Sequence, residues 1–237
     1  MSIISDAAPG FFGKVRSHGD FVSRRLPPPV ASRWDNWLQA CIEVSRQQLG
    51  AAWLPAYLSS PLWRFALSAG VVDGAVWSGV LMPSVDRVGR YFPLMLGVAL
   101  APAVSALDVL DHGKRWHDAL EALALSALEA DFKLDQFDAP LLVKFDVPLL
   151  AQTRGQPGPD SAPQGQWCFS VADSLTAALP GEVVRRALLA GHSLWWTDGS
   201  PQVAPSVLVC AGLPQPASFA ALLDGCWLQH GWQVPAP

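Results

Sequence analysis

SGVLMPSVDRVGRYFPLML, residues 78–96, is two apolar runs separated by a compact polar stretch. Val80-Leu81-Met82 opens it and Pro93-Leu94-Met95-Leu96 closes it, each of strand length and bounded by breakers. Pro83 ends the first run, and Gly89 permits a turn that a side chain would resist. Between them Ser84, Asp86, Arg87 and Arg90 place a hydroxyl, a carboxylate and two guanidinium groups within seven residues. Two buried strands would hold such a loop rigidly at a sheet end. Two readings stand side by side. Asp86 pairs with Arg87 or Arg90 and pins a hairpin, or the loop is a recognition surface on a rigid scaffold.

Toward the N-terminus, Asp73-Gly74 is a turn and Leu62–Leu67 alternates like a strand. Strands near 62–67, 76–82 and 92–99, joined by short turns, predict adjacent antiparallel pairing. Ala51–Leu58 predicts a short helix, kinked or begun at Pro55. Trp34, Trp37, Leu38, Cys41, Ile42 and Leu49 have helical spacing, with prolines at 27–29 leading in and Gly50 as the stop. Gly10–Val15 predicts a first strand, followed by a loop over Arg16–Val22. Gly13-Lys14 lacks the upstream glycine and the following Ser/Thr of a phosphate loop.

Toward the C-terminus, residues 113–130 predict a helix with a stripe of Trp116, Leu120, Leu123, Ala127 and Leu128. His117, one turn before Glu121, reads as an ion-pair partner or a solvent-facing group. Leu141–Phe145 fits a strand or a helix end. Residues 152–166, rich in Gly, Pro, Gln and Ser, read as a flexible loop. Strands at 167–171, 192–199 (closing in a turn) and 206–210 alternate with helices near 181–189 and 219–223. The alternation predicts an α/β fold with a mixed, partly antiparallel sheet and helices on both faces. A single domain over 1–237 is expected, because residues from 151 onward would make a marginal core alone.

The 237 residues are 51% hydrophobic and only 15% charged, against about 25% in an average domain. Among eleven Trp, some are expected at the surface as interface anchors. Residues 1–90 hold nine Lys/Arg against six Asp/Glu, and residues 91–237 hold seven against fourteen. That asymmetry suits orientation of a partner and is too weak for nucleic acid. No secretory leader or membrane span is visible, which predicts a soluble cytoplasmic protein. Cys41, Cys168, Cys210 and Cys226 lie in apolar contexts without paired spacing and read as buried free thiols.

Catalytic signatures are missing. The chain has no Gly-x-Ser-x-Gly, His-Glu-x-x-His, Cys-x-x-Cys or Gly-x-Gly-x-x-Gly. Cys226 and His230, four apart, are too few for a metal site. No catalytic residue, cofactor or metal is assigned. Arg87 and Arg90 suit a carboxylate or phosphate. The alternative function is therefore an enzyme or a small-ligand or phosphate-binding protein using the Ser84-Asp86-Arg87-Arg90 loop.

The whole of Gly79–Leu94 resembles the signature of the type VI secretion-associated TagF family. Gly13-Lys14 with Gly19-Asp20-Phe21-Val22 is similar to that family's opening motif, as are Trp34-Asp35-x-Trp37-Leu38 and Pro61–Phe65. Ser193-Leu194-Trp195-Trp196 resembles an element near its C-terminus. Arg16 stands where the family often has proline. The resemblance implies a three-layer α/β/α sandwich. It implies a non-enzymatic cytoplasmic regulator, a post-translational repressor of type VI secretion. The implied partner is a forkhead-associated scaffold protein, with a functional link to a threonine kinase–phosphatase pair. Some relatives carry a fused phosphatase; no phosphatase metal–carboxylate motif is present, so a stand-alone form is expected. The candidate interaction or structural motif is Lys14, Asp20, Ser84, Asp86, Arg87, Arg90, Trp195 and Trp196.

Overall fold

The structure is a computed structural model that describes residues 8–101, 104–142, 165–171 and 190–235. Its eight strands are β1 (Gly10–Gly13), β2 (Val22–Arg24), β3 (Trp63–Leu67), β4 (Val76–Met82), β5 (Leu94–Leu100), β6 (Gln166–Ser170), β7 (His192–Thr197) and β8 (Ser206–Ala211). They form one sheet in the order β2-β1-β5-β4-β3-β7-β8-β6. β3, β4 and β5 are the antiparallel meander expected from their short turns, in the register Phe65↔Gly79↔Gly97.

Every strand pair is antiparallel, so the mixed sheet expected from the sequence is corrected. Among the described residues the only parallel pairing is an isolated bridge between Trp167 and Gln233. The reason lies in the crossovers. A strand–helix–strand unit gives a parallel pair only when it returns beside the strand it left. Here the helices between β2 and β3 return the chain four strands away, with β1, β5 and β4 between, and β6 lies at the opposite end of the sheet from β2.

The helices are α1 (Pro28–Leu49), α2 (Trp53–Ser59), α3 (Ala106–His112), α4 (Lys114–Ser126), α5 (Leu134–Leu142) and α6 (Ala221–Asp224). Prolines in the first turn of α1 lose no hydrogen bond, and Gly50 ends the helix at φ 52°. α3 starts on a capping box in which Ser105 and Asp108 satisfy each other's backbone N–H. Leu141 and Leu142 end a helix, and the helix read near 181–189 lies outside the described residues. So does the loop read at 152–166, apart from Gly165 and Gln166, and Gln166 begins β6. Among the described residues no helix is long and apolar enough to cross a membrane.

Strand alternation sorts side chains to two cores. Trp63, Phe65, Leu67, Leu81, Met95, Trp195 and Leu208 pack with Trp34, Trp37, Leu38 and Ile42 of α1 and Trp53 and Tyr57 of α2. Ala66, Val80, Met82, Leu94, Leu96, Leu194 and Trp196 pack with Val109 of α3, Trp116 and Leu120 of α4 and Phe137 of α5. No Trp is exposed, against the expectation of surface anchors: Trp167 and Trp227 are half-buried and the rest are buried. Indole N–H groups reach polar partners inside, as in Trp37 to the Pro214 carbonyl (2.7 Å) and Trp63 to the Leu222 carbonyl (3.1 Å). Of the cysteines only Cys226 is exposed.

The Phe65 ring lies across the glycine pair Gly79 and Gly97, and Trp34 and Trp195 pack on that ring at 5.1 and 5.3 Å. A Cβ on Gly79 would stand 1.9 Å from the Leu96 carbonyl oxygen and 2.8 Å from the Phe65 ring. Gly79→Ala is expected to cost roughly 2–3 kcal/mol, since backbone must move to admit the methyl. Gly74→Ala, which meets nothing within 4 Å, is expected to shift stability by under about 0.5 kcal/mol. Urea unfolding of both variants checks this; equal stabilities would remove the packing argument.

Candidate functional site

A carboxylate sealed from water must find cationic or N–H partners, and the polar loop of residues 83–92 is built to supply them. Asp86 follows β4, and its side chain is fully buried. Its Oδ1 accepts hydrogen bonds from the backbone N–H groups of Val88 and Arg90, both 2.9 Å. Its Oδ2 accepts from Lys14 Nζ at 2.6 Å and Arg90 Nε at 2.7 Å. Burial alone would raise the Asp86 pKa. The hydrogen bonds from Lys14, Arg90 and Val88 outweigh it and hold the carboxyl well below the usual range. Lys14 is itself buried and lies over the Phe21 ring at 5.1 Å.

The same contacts tie three segments together. Ser84 Oγ donates to the Lys14 carbonyl at 2.7 Å, fastening the loop to the end of β1. Arg87 N–H donates to the His18 carbonyl at 3.0 Å, and Arg90 Nη2 donates to the Gly19 carbonyl. Tyr57 of α2 donates its hydroxyl to the Ser84 carbonyl and accepts from the Ser84 N–H, each at 2.9 Å. The sequence offered no sign of Tyr57, because nothing local links α2 to residue 84.

Of the candidate residues, Lys14, Ser84, Asp86 and Arg90 converge. Arg87 does not join Asp86; its side chain is exposed. Asp20 is exposed and accepts the N–H of Phe21 at 2.8 Å, outside the cluster. Trp195 and Trp196 are 0% and 2% exposed. They point to opposite cores from β7, which lies between β3 and β8, so they offer no edge for a partner. Arg16 donates to the Leu128 carbonyl at 2.9 Å.

Beside the loop an open groove runs between α1 and residues 89–92. Gln39, Ile42, Glu43, Arg46 and Gln47 form its α1 wall. Gly89, Arg90, Tyr91 and Phe92 form the other, with Lys14 and Phe21 also lining it. Among the described residues no group of three or more His, Cys, Asp or Glu is placed to hold a metal. Cys226 Sγ lies 3.9 Å from the Asp224 carbonyl oxygen and His230 Nε2 lies 2.9 Å from Asp224 Oδ2. Burial and the Asp224 charge raise the Cys226 pKa, the opposite of an activated thiol.

A second polar cluster lies on the opposite face. Arg64 of β3 is buried and meets Glu121 of α4 twice, at 2.7 and 2.9 Å, with Asp198 at 2.9 Å and Asp118 at 3.2 Å. Glu121 is thus taken by Arg64, and His117 is fully buried, which corrects its reading as an ion-pair partner or solvent-facing group. Its Nδ1 is 2.9 Å from the Gly113 carbonyl and its Nε2 is 3.1 Å from Ser78 Oγ. The carbonyl can only accept, so the proton sits on Nδ1. Burial lowers its pKa to about 3, outweighing the raising effect of the Gly113 carbonyl; the Arg64 charge lowers it and Asp118 raises it by less.

Two consequences are measurable. Asp86→Ala leaves Lys14 buried and unpaired and is expected to cost about 3 kcal/mol or more, while Arg87→Ala costs under about 0.5 kcal/mol. An Asp86→Ala protein melting like wild type would sink the structural role. For His117, the unfolded side chain titrates near about 6.5 and the folded one near 3. Between those values the unfolded chain binds a proton that the folded chain refuses, so stability falls as pH falls. The slope is on the order of 1 kcal/mol per pH unit, and the contribution is fully present above the upper value. Urea titrations across this window should show a shallower slope for His117→Gln; parallel curves would contradict it.

No curated protein matches the chain. Among solved structures it is similar to the crystal structure of PA0076 from Pseudomonas aeruginosa PAO1. The two are 35% identical over 97% of this chain and 98% of that one, with a TM-score of 0.72. The family profile of the TagF N-terminal domain, type VI secretion system-associated, matches residues 10–143. That span holds β1 through β5, α1 through α5 and the whole Lys14–Asp86–Arg90 cluster, and by it the chain belongs to the type VI secretion system-associated TagF family.

Proposed function

We propose that this protein is a non-enzymatic accessory regulator of the type VI secretion system, acting in the cytoplasm as a post-translational repressor. It binds a forkhead-associated scaffold component and works within the pathway of a threonine kinase and phosphatase. One observation carries the non-enzymatic part of this reading. The carboxylate at the centre of the motif that opened the sequence argument has no capacity left: Asp86 takes Lys14, Arg90 and two backbone N–H groups. A general acid or base needs a free proton position facing a substrate, and a buried carboxylate with all its bonds made has none. What remains exposed is an open groove and a rigid loop, features that suit recognition.

A repressor that sequesters its partner acts in proportion to its amount. Purified protein is therefore expected to bind the purified forkhead-associated scaffold with fixed stoichiometry in calorimetry. In cells, repression should rise with the ratio of this protein to the scaffold and saturate when the two are equal. Absence of binding, or full repression at a small fraction of the scaffold's concentration, would argue against sequestration.

A further inference from the structure

We propose that the groove between α1 and the 89–92 loop is a docking site for an acidic protein segment that also carries apolar or aromatic side chains. The α1 wall is one helical face: residues 39, 42, 43, 46 and 47 recur at turn spacing. The opposite wall cannot drift, because Asp86 holds the backbone N–H groups of Val88 and Arg90. A preformed groove spares the ordering cost that a mobile surface would add on binding. Its volume is about 860 Å³ and it opens widely to solvent. Small-molecule pockets bury most of their ligand's surface, which a groove this open does not, so the shape favours a length of chain.

The lining fixes the chemistry of the occupant. Arg46 lies over the Trp53 ring at 4.2 Å, and none of its guanidinium N–H groups has a hydrogen-bond partner among the described residues. Arg90 spends Nε on Asp86 and Nη2 on Gly19, leaving Nη1 without a partner among the described residues. The Arg90 side chain is 58% exposed. Two guanidinium groups with free donors in one groove suit carboxylates. Among the described residues Glu43 is the only carboxylate in the lining, in a chain whose net charge is −4. Phe21 is 40% exposed and held rigid by Phe12 at 5.6 Å and Phe92 at 4.8 Å. With Tyr91 and Ile42 it supplies apolar contact area, and rigid aromatics of this kind serve as interface anchors. The apolar share and the presence of Glu43 favour a protein segment over a nucleic acid, whose backbone calls for a denser array of cations.

The proposal rests on the regulator reading only in placing the scaffold's binding site here, and its test does not need the scaffold. The probe is a fluorescein-labelled random copolymer of glutamate and tyrosine, titrated with the full chain and followed by anisotropy. Binding is expected, with a loss of about tenfold or more for Arg46→Glu. Arg115→Glu, an exposed change on α4, should leave binding unaltered. A lysine–tyrosine copolymer should not bind, and an oligothymidylate should not compete. Failure of the glutamate copolymer to bind, equal binding by Arg46→Glu, or displacement by oligothymidylate would each overturn the proposal. The Arg46→Glu protein is then tested on the scaffold. If its copolymer binding is lost while scaffold binding is unchanged, the groove stands as an acidic-segment site and the scaffold docks elsewhere. If the copolymer fails while the scaffold binds the wild type, the groove assignment falls and the regulator reading survives.

Discussion

The Asp86 carboxylate is the constraint on which the rest of the loop region depends. A bare carboxylate in a sealed site would neutralise or force the fold open, because desolvation of a charge costs several kcal/mol. Here the burial is met by two cations and two backbone N–H groups, all within 2.9 Å. Satisfying those bonds fixes more than a side chain. The loop from β4 to β5 must curl so that residues 88 and 90 point their N–H groups inward. The end of β1 must bring Lys14 beneath it, and residues 18 and 19 must offer carbonyls to Arg87 and Arg90. One buried charge thus sets the geometry of three chain segments that are far apart in sequence.

The sheet makes that arrangement possible. β1 pairs with β5 and β4 pairs with β5, so Lys14, following β1, and Asp86, following β4, emerge at the same end of neighbouring strands. Register at that end is held by the cores on both faces, since a slip by one residue would send every core side chain to the wrong face. The pair Gly79 and Gly97 adds a second lock. Phe65 covers both, and only a backbone without Cβ admits it. The Trp-rich core above Phe65 is therefore coupled through the sheet to the loop at its end.

Much of this was legible in the sequence. The meander of β3, β4 and β5 followed from short apolar runs and turn signals, and α1 followed from Trp34, Trp37, Leu38, Cys41 and Ile42 at helical spacing. The hairpin-pinning reading of Asp86 left Arg87 and Arg90 as alternative partners, and Arg90 is the one that pairs. Lys14 stood among the motif residues, yet its pairing with Asp86, 72 positions away, has no local signature. α3 was missed although Ser105 and Asp108 form a capping box, because the preceding prolines and apolar residues masked the start. His117 misled for a physical reason. A histidine four residues from a glutamate looks like an ion-pair partner on an isolated helix, but Arg64, from a strand, takes that glutamate and leaves the imidazole to the core. The antiparallel order across the whole sheet depended on where each crossover lands, which alternation of strand and helix does not specify.

A dense motif of Ser, Asp and Arg invites a catalytic reading, and the geometry explains why density is a poor guide here. Charged groups in an active site must keep part of their hydrogen-bonding capacity for a substrate, which leaves them strained or poorly solvated in its absence. Asp86 keeps none. Its partners close around it and its pKa moves down, toward a permanently ionised group with no proton to give or take near neutrality. The capacity that is left belongs to residues the motif does not advertise: Arg46 on α1, the outer edge of Arg90, and Phe21 on the clasped loop. The motif spends its chemistry on holding a surface still. On the proposed reading, specificity is then a matter of that surface's shape and of the few free donors on it, which is the division of labour expected of a protein that recognises a partner.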